Sequence, residues 1–137
     1  MRTALDTNIL SALWSSEAVA SHISTELAAS RALGGIVICG PVFAELAAHP
    51  NVNQTFIEEF LKETGIGVDF NIDEDIWRRA ARAYAEYGKR RRESGGGAPK
   101  RLLVDFIIAA HASLRADRLM TLDPHRYRQA FPKLKIV

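Results

Sequence analysis

Residues 3–10 read Thr3-Ala4-Leu5-Asp6-Thr7-Asn8-Ile9-Leu10 and join a short strand-forming run directly to a helical pattern. Asp6 therefore stands at the expected end of a first strand, and apolar residues follow it at helical spacing. In open α/β proteins, ligands bind at the carboxyl ends of the parallel strands, so an acid at this place points into the site. One such acid is weak support for a functional site. The support becomes stronger if other acids of the chain are predicted at the same edge of the sheet.

Strands and helices alternate along the remaining sequence. Strands are predicted at residues 36–39, 66–70, 118–122 and 133–137. Helices are predicted to begin near Ser16 and to run over about 41–48, 53–63 and 101–115, with a long helix from residue 73 onward. This order predicts the α/β class, as a three-layer α/β/α domain with a central, mainly parallel sheet. We expect residues 1–137 to form a single domain of this kind.

Composition favours a cytoplasmic protein without a membrane partner. Of the 137 residues, 47% are hydrophobic and 25% are charged, which is typical of soluble globular proteins. No apolar run approaches the ~20 residues needed to cross a bilayer, and the first residues do not resemble a signal peptide. The single cysteine, Cys39, lies in an apolar run, so we expect a buried core residue rather than a reactive thiol.

Basic charge is concentrated in one segment. Residues 88–101 carry six basic side chains and one acidic one, whereas the rest of the chain has 12 basic and 15 acidic residues. A cationic segment beside an acidic site suits contact with an RNA backbone. The candidate RNA-binding residues are Lys89, Arg90, Arg91, Arg92, Lys100 and Arg101. The alternative is a solvated helix end and loop without a ligand.

Three further acids are predicted at the edge where Asp6 lies. Glu45 falls one turn into the helix after the second strand, Asp105 in the first turn of a later helix, and Asp123 at the end of the strand over 118–122. Asp105 is the most informative, because its neighbours are almost all apolar, and a charge there costs several kcal/mol unless it is paired or binds a metal. Glu45 could instead face solvent, and Asp123 could instead cap a turn.

Clustered carboxylates repel one another and normally imply a bound cation. Oxygen ligands point to Mg²⁺ or Mn²⁺, and the four histidines have no ligand spacing that would favour zinc. Such ions activate water for attack on a phosphodiester. Thr7, Asn8 and Thr121 are candidates for orienting the acids by hydrogen bonds, although capping and turn formation would also explain them.

Four motifs together resemble those of PIN-domain ribonucleases, and within that family the VapC-type toxins of type II toxin–antitoxin systems. They are Leu5-Asp6-Thr7-Asn8, Glu45-Leu46, the run from Arg101 to Ala112 around Asp105, and Leu119-Met120-Thr121-Leu122-Asp123. The resemblance implies Mg²⁺- or Mn²⁺-dependent endonucleolytic cleavage of RNA, a homodimer, and inhibition by a cognate antitoxin protein. Asp6, Glu45, Asp105 and Asp123 would then form the family's acidic quartet. One departure is the stretch Pro124-His125-Arg126-Tyr127 after the last acid, where the resemblance implies a phenylalanine near Tyr127.

The leading hypothesis is therefore a metal-dependent endoribonuclease in which Asp6 and Asp105 hold the main ion. The alternative is a catalytically inactive PIN-like module that binds RNA or protein. An acyl-phosphate enzyme that uses Asp6 is disfavoured, because haloacid-dehalogenase phosphatases have a second aspartate two residues further on, where this chain has Asn8.

Overall fold

The computed structural model describes residues 1–96 and 102–137, which form four strands and seven helices. The strands are β1 (Thr3–Leu5), β2 (Ile36–Cys39), β3 (Ile66–Asp69) and β4 (Arg118–Met120). The helices are α1 (Thr7–Trp14), α2 (Ala20–Leu33), α3 (Gly40–Leu46), α4 (Gln54–Thr64), α5 (Glu74–Glu93), α6 (Leu103–Arg115) and α7 (His125–Arg128).

All four strands are parallel and lie in the order β3-β2-β1-β4. β1 is central, with Ala4 opposite Val37 on one side and Leu119 on the other. Every residue of β1 and β2 is buried, as expected for parallel strands covered on both faces. The chain leaves β1 toward β2 and β3, then returns to add β4 on the opposite side. The strand order therefore reverses between β1 and β4.

Helices cover both faces of the sheet. Right-handed crossovers put α1 to α4 on one face and α5 with α6 on the other. On the first face, Trp14 of α1 makes edge contacts with Phe56 and Phe60 of α4. On the second, Tyr84 and Tyr87 of α5 pack against Phe106 of α6. The predicted three-layer α/β/α architecture is confirmed.

One predicted helix start is wrong. Ser16 does not cap α2, which begins at Ala20. Ser16 instead has a left-handed backbone with φ 52°, and its N–H donates to the carbonyl of Leu13 while that of Glu17 donates to Ala12. This is the pattern that closes a helix C-terminus, so Ser16 ends α1.

The other predicted elements differ from the structure mainly at their ends. The predicted closing strand is a single parallel bridge, Leu119 to Ile136, at the free edge of β4.

Cys39 is buried as expected, and burial raises the pKa of its thiol to about 11. Within residues 1–96 and 102–137, no helix has both the length and the apolar character that a membrane crossing requires.

Candidate active site

The carboxyl ends of β1 and β4 lie side by side where the strand order reverses. Asp6 follows β1 directly, and its N–H donates to the Met120 carbonyl at the end of β4 at 3.0 Å. Asp123 follows β4 three residues later. Adjacent strand ends at a reversal point form the usual ligand crevice of open parallel sheets. Two of the four predicted acids are therefore at this crevice.

Asp6 is buried, with 3% of its surface exposed, and its carboxylate accepts three hydrogen bonds. Oδ1 accepts from the Thr7 N–H at 2.7 Å, where Asp6 caps α1. Oδ2 accepts from the Thr121 hydroxyl at 2.8 Å and from the Tyr127 hydroxyl at 2.7 Å. These donors compensate the burial of the charge and fix the orientation of the carboxylate.

Tyr127 was not among the candidate site residues. It is almost completely buried in α7. Its burial, with the neighbouring Asp6 carboxylate, raises the pKa of Tyr127 well above its ordinary value, so its hydroxyl remains a donor. No signal in the local sequence could have found this contact, because the acid lies 121 positions away along the chain.

Thr7, Asn8 and Thr121 join the acids in one hydrogen-bond network. The Thr7 hydroxyl donates to Glu45 Oε1 at 2.6 Å, which links α1 to α3. Asn8 donates through Nδ2 to the Thr121 hydroxyl at 3.3 Å and accepts at Oδ1 from the Leu122 N–H at 3.1 Å. The Thr121 hydroxyl also accepts from the N–H of Asp123 at 3.1 Å. Asp6 is thus connected to both Glu45 and Asp123 through threonines.

Asp105 lies in the first turn of α6, and its side chain is only 13% exposed. The Arg126 guanidinium, on α7, spans Asp105 and Asp123: Nη1 is 3.4 Å from Asp105 Oδ1, and Nη2 is 3.3 Å from Asp123 Oδ2. Burial opposes the charge on Arg126, but Asp105 and the other carboxylates nearby raise its pKa above the ordinary value. Arg126 therefore supplies a compensating positive charge beside Asp105 and Asp123.

Glu45, Asp105 and Asp123 line one cavity of about 590 Å³. Tyr87, Arg91, Leu102, Arg126 and Gln129 complete its wall. Acidic and basic side chains thus face the same solvent-filled space. Such a cavity suits an anionic ligand, held through a cation, better than it suits an apolar ligand.

The donor set fits a hard divalent cation in its chemistry, because it consists of carboxylate oxygens with hydroxyl and amide groups around them. In the part of the chain that the structure describes, however, no three His, Cys, Asp or Glu side chains are grouped closely enough to hold a metal as they stand. Arg126 occupies the space between two of the acids. The metal site and its ligands stay a prediction.

The basic segment is described only in part. Arg91, near the end of α5, lines the cavity, and its side chain donates to the Gly96 carbonyl. Lys89 and Arg92 are exposed, and Arg90 is half-buried. The other two candidates, Lys100 and Arg101, lie outside the described residues. Among the four described candidates, Arg91 therefore faces the acids, and Lys89, Arg90 and Arg92 lie beside it at the end of α5.

A fifth carboxylate at this sheet edge was missed. Asp69 ends β3 and accepts a hydrogen bond from His111 Nε2 of α6 at 3.0 Å. His111 is 1% exposed, and its burial lowers its pKa below the ordinary value, although Asp69 acts in the opposite direction. The pair ties the edge strand to α6. The sequence offered only a weak signal, an acid at the end of a strand.

Comparisons with known proteins agree with this geometry. A family model described as "PIN domain" matches residues 3–132. The fold is similar to a crystal structure of VapBC2 from Rickettsia felis bound to a DNA fragment from their promoter, with 22% identity, a TM-score of 0.66, and coverage of 100% of this chain and 98% of that chain. It is also similar to VapBC-1 from nontypeable Haemophilus influenzae, with 23% identity, a TM-score of 0.62, and coverage of 100% and 97%. Among curated proteins, none matches the sequence.

Proposed function

The chain belongs to the PIN-domain family, and from this premise we propose that it is a metal-dependent endoribonuclease that acts as the toxin of a toxin–antitoxin pair. One observation carries the proposal. Four acids from four separate segments lie near one sheet edge, where Glu45, Asp105 and Asp123 line a cavity. Threonines connect Glu45 and Asp123 to the buried Asp6. The repulsion among these carboxylates favours a bound cation in addition to the charge of Arg126.

In this proposal Asp6 and Asp105 hold Mg²⁺ or Mn²⁺, and Glu45 and Asp123 complete the pocket or hold a second ion or water. When bound, the metal would supply activation of the attacking water and stabilisation of the departing oxygen of the phosphodiester. The chain's own residues do the positioning: Thr7 holds Glu45, while Thr121 and Tyr127 hold Asp6. The basic end of α5, including Arg91 in the cavity wall, draws the RNA phosphates to the site.

The proposed partners follow from the same premise. Both similar structures bear the names of VapBC pairs, which supports a cognate antitoxin for this chain as well. A homodimer and a cytoplasmic location complete the proposal. Sedimentation of the purified chain tests the dimer independently of the chemistry.

RNA cleavage tests the function. Purified wild-type protein is incubated with single-stranded RNA in Mg²⁺, in Mn²⁺ and in EDTA, alongside Asp105→Asn and Asp6→Asn. We expect cleavage with either metal and none with EDTA or either variant. Because Asp6 also accepts three hydrogen bonds, its variant is compared only at a temperature where it remains folded. Glu59→Gln, at an exposed acid on α4, is the matched control and should cleave normally.

Cleavage that survives both EDTA and Asp105→Asn would sink the proposal. RNA binding without cleavage, by a protein that binds no Mn²⁺, would instead favour the inactive PIN-like module.

A further inference from the structure

Arg126 bridges two acids of the site with opposite arms of its guanidinium group. Each arm reaches one carboxylate, at 3.4 Å for Asp105 and 3.3 Å for Asp123. Strong charge-assisted pairs have N–O distances of about 2.7–2.9 Å and often engage both oxygens of one carboxylate. The Arg126 contacts are longer and are divided between two acids. The arrangement is an electrostatic bridge of moderate strength.

The backbone at Arg126 is anchored by its neighbour, and its side chain is partly exposed. The adjacent residue, Tyr127, is buried at 1% exposure and donates to Asp6. This contact anchors the single turn of α7. The Arg126 side chain is 34% exposed and faces the cavity, so part of it already contacts solvent.

We propose that Arg126 is a built-in counter-cation that competes with the divalent metal for Asp105 and Asp123, and so sets the metal affinity of the site. This inference rests on the proposed function. The guanidinium and the metal need the same carboxylate oxygens, and two cations a few ångströms apart repel each other. Metal binding therefore requires Arg126 to leave the bridge. Without metal, Arg126 relieves the repulsion between the two acids and keeps the site folded.

Mn²⁺ binding to the full-length chain tests this competition by calorimetry, without any need for RNA. Arg126→Gln should bind Mn²⁺ about tenfold more tightly than wild type, which corresponds to about 1.4 kcal/mol. Arg126→Lys keeps a charge but cannot span both acids, so its affinity should lie between the two. Arg128→Gln removes the same charge from an exposed position on the same helix and should match wild type.

The melting temperature of each variant is a second measurement, and it also detects a variant that folds poorly. In EDTA, Arg126→Gln should melt below wild type because Asp105 and Asp123 lose their counter-charge. Added Mn²⁺ should raise its melting temperature more than it raises that of wild type, since a tighter ligand stabilises more. If Arg126→Gln does not fold, the comparison of Arg126→Lys with wild type decides.

The outcomes separate the two proposals. Equal Mn²⁺ affinity in wild type, Arg126→Gln and Arg128→Gln, with weaker binding by Asp105→Asn, would overturn the role of Arg126 and leave the metal site standing. Binding that Asp105→Asn does not weaken, or no binding by any variant, would overturn both.

Discussion

Thr7 serves two of the acids at once, because its N–H donates to Asp6 and its hydroxyl donates to Glu45. The first contact caps α1, and any residue at this position except proline could make it. The second contact needs a hydroxyl. Glu45 is half-buried on a short helix, so this 2.6 Å bond fixes which way its carboxylate faces.

Thr7→Val is therefore expected to reduce the RNA cleavage rate about 10- to 100-fold, the usual cost of losing a group that orients a metal ligand. The fold should remain, since valine keeps the shape and the backbone cap. Steady-state cleavage at saturating Mn²⁺ measures the effect. Thr7→Ser keeps a hydroxyl and should retain most of the activity. Equal rates for Thr7→Val and wild type would show that the orientation of Glu45 does not matter.

The position of a residue in the fold was predictable where its own strand or helix could be recognised from the local sequence. Asp6 and Asp123 each come after a recognisable strand, Glu45 lies in the short helix that leaves β2, and Asp105 lies in the first turn of α6. The rules of parallel sheets place such positions near one edge. Arg126 and Tyr127 were not predictable as partners, because Tyr127 reaches an acid 121 positions away. Only the fold decides which acids their side chains reach.

At the scale of elements, α5 has two chemically different ends. Its first turn carries Glu74 and Asp75, and its last turn carries Arg90, Arg91 and Arg92. This distribution suits the helix dipole, which favours acids at the start and bases at the end. The dipole alone explains why basic residues stand there. A role in RNA binding needs a measurement that the dipole does not affect.

The salt dependence of RNA binding is such a measurement. For Arg90→Gln/Arg92→Gln, we expect weaker binding and a slope of log K against log [salt] that is shallower by about 1.4, since each of the two lost phosphate contacts on single-stranded RNA removes about 0.7. Arg78→Gln/Arg82→Gln makes the same charge change at exposed positions in the first half of α5 and should leave the slope unchanged. Equal slopes for the two double variants would identify the basic end as a solvated surface.

Element boundaries were predictable to within a few residues, except at the start of α2. Serine is a good helix N-cap, so Ser16 before an apolar pattern was a reasonable start. The competing structure closes α1 with a left-handed residue at that same position. A sequence shows both options equally well, and packing of α1 and α2 decides between them.

At the scale of the whole molecule, the His111–Asp69 pair joins residues 42 positions apart and attaches the edge strand β3 to α6. Burial lowers the pKa of His111 below its ordinary value of 6.5. The unfolded chain therefore binds more protons than the folded chain just below pH 6.5. The contribution of His111 to the stability of the fold is fully present above pH 6.5, and it is lost as the pH falls through the lowered pKa of the folded state. Burial acts to raise the pKa of Asp69, but the hydrogen bond from His111 outweighs burial, so this pKa lies below its ordinary value of 3.8. Asp69 therefore adds a further loss of stability below pH 3.8.

His111→Asn should therefore lose less stability than wild type as the pH falls below 6.5, because it removes a group whose pKa is lower in the folded chain than in the unfolded chain. Asparagine can still donate to Asp69. Urea unfolding at several pH values measures the difference, and His22→Asn, at an exposed histidine, should behave like wild type. An unchanged pH dependence in His111→Asn would assign the acid sensitivity to other groups.

We propose that four acids near the carboxyl edge of the sheet, two of them at the reversal point between β1 and β4, form a divalent metal site. An anomalous difference map from crystals soaked in Mn²⁺ at a concentration that supports RNA cleavage tests this directly. We expect a peak among Asp6, Glu45, Asp105 and Asp123, with Asp105 as a ligand and the Arg126 side chain turned away from it. A fully soaked crystal with no peak at this edge, or with Arg126 still bridging Asp105 and Asp123, would contradict it.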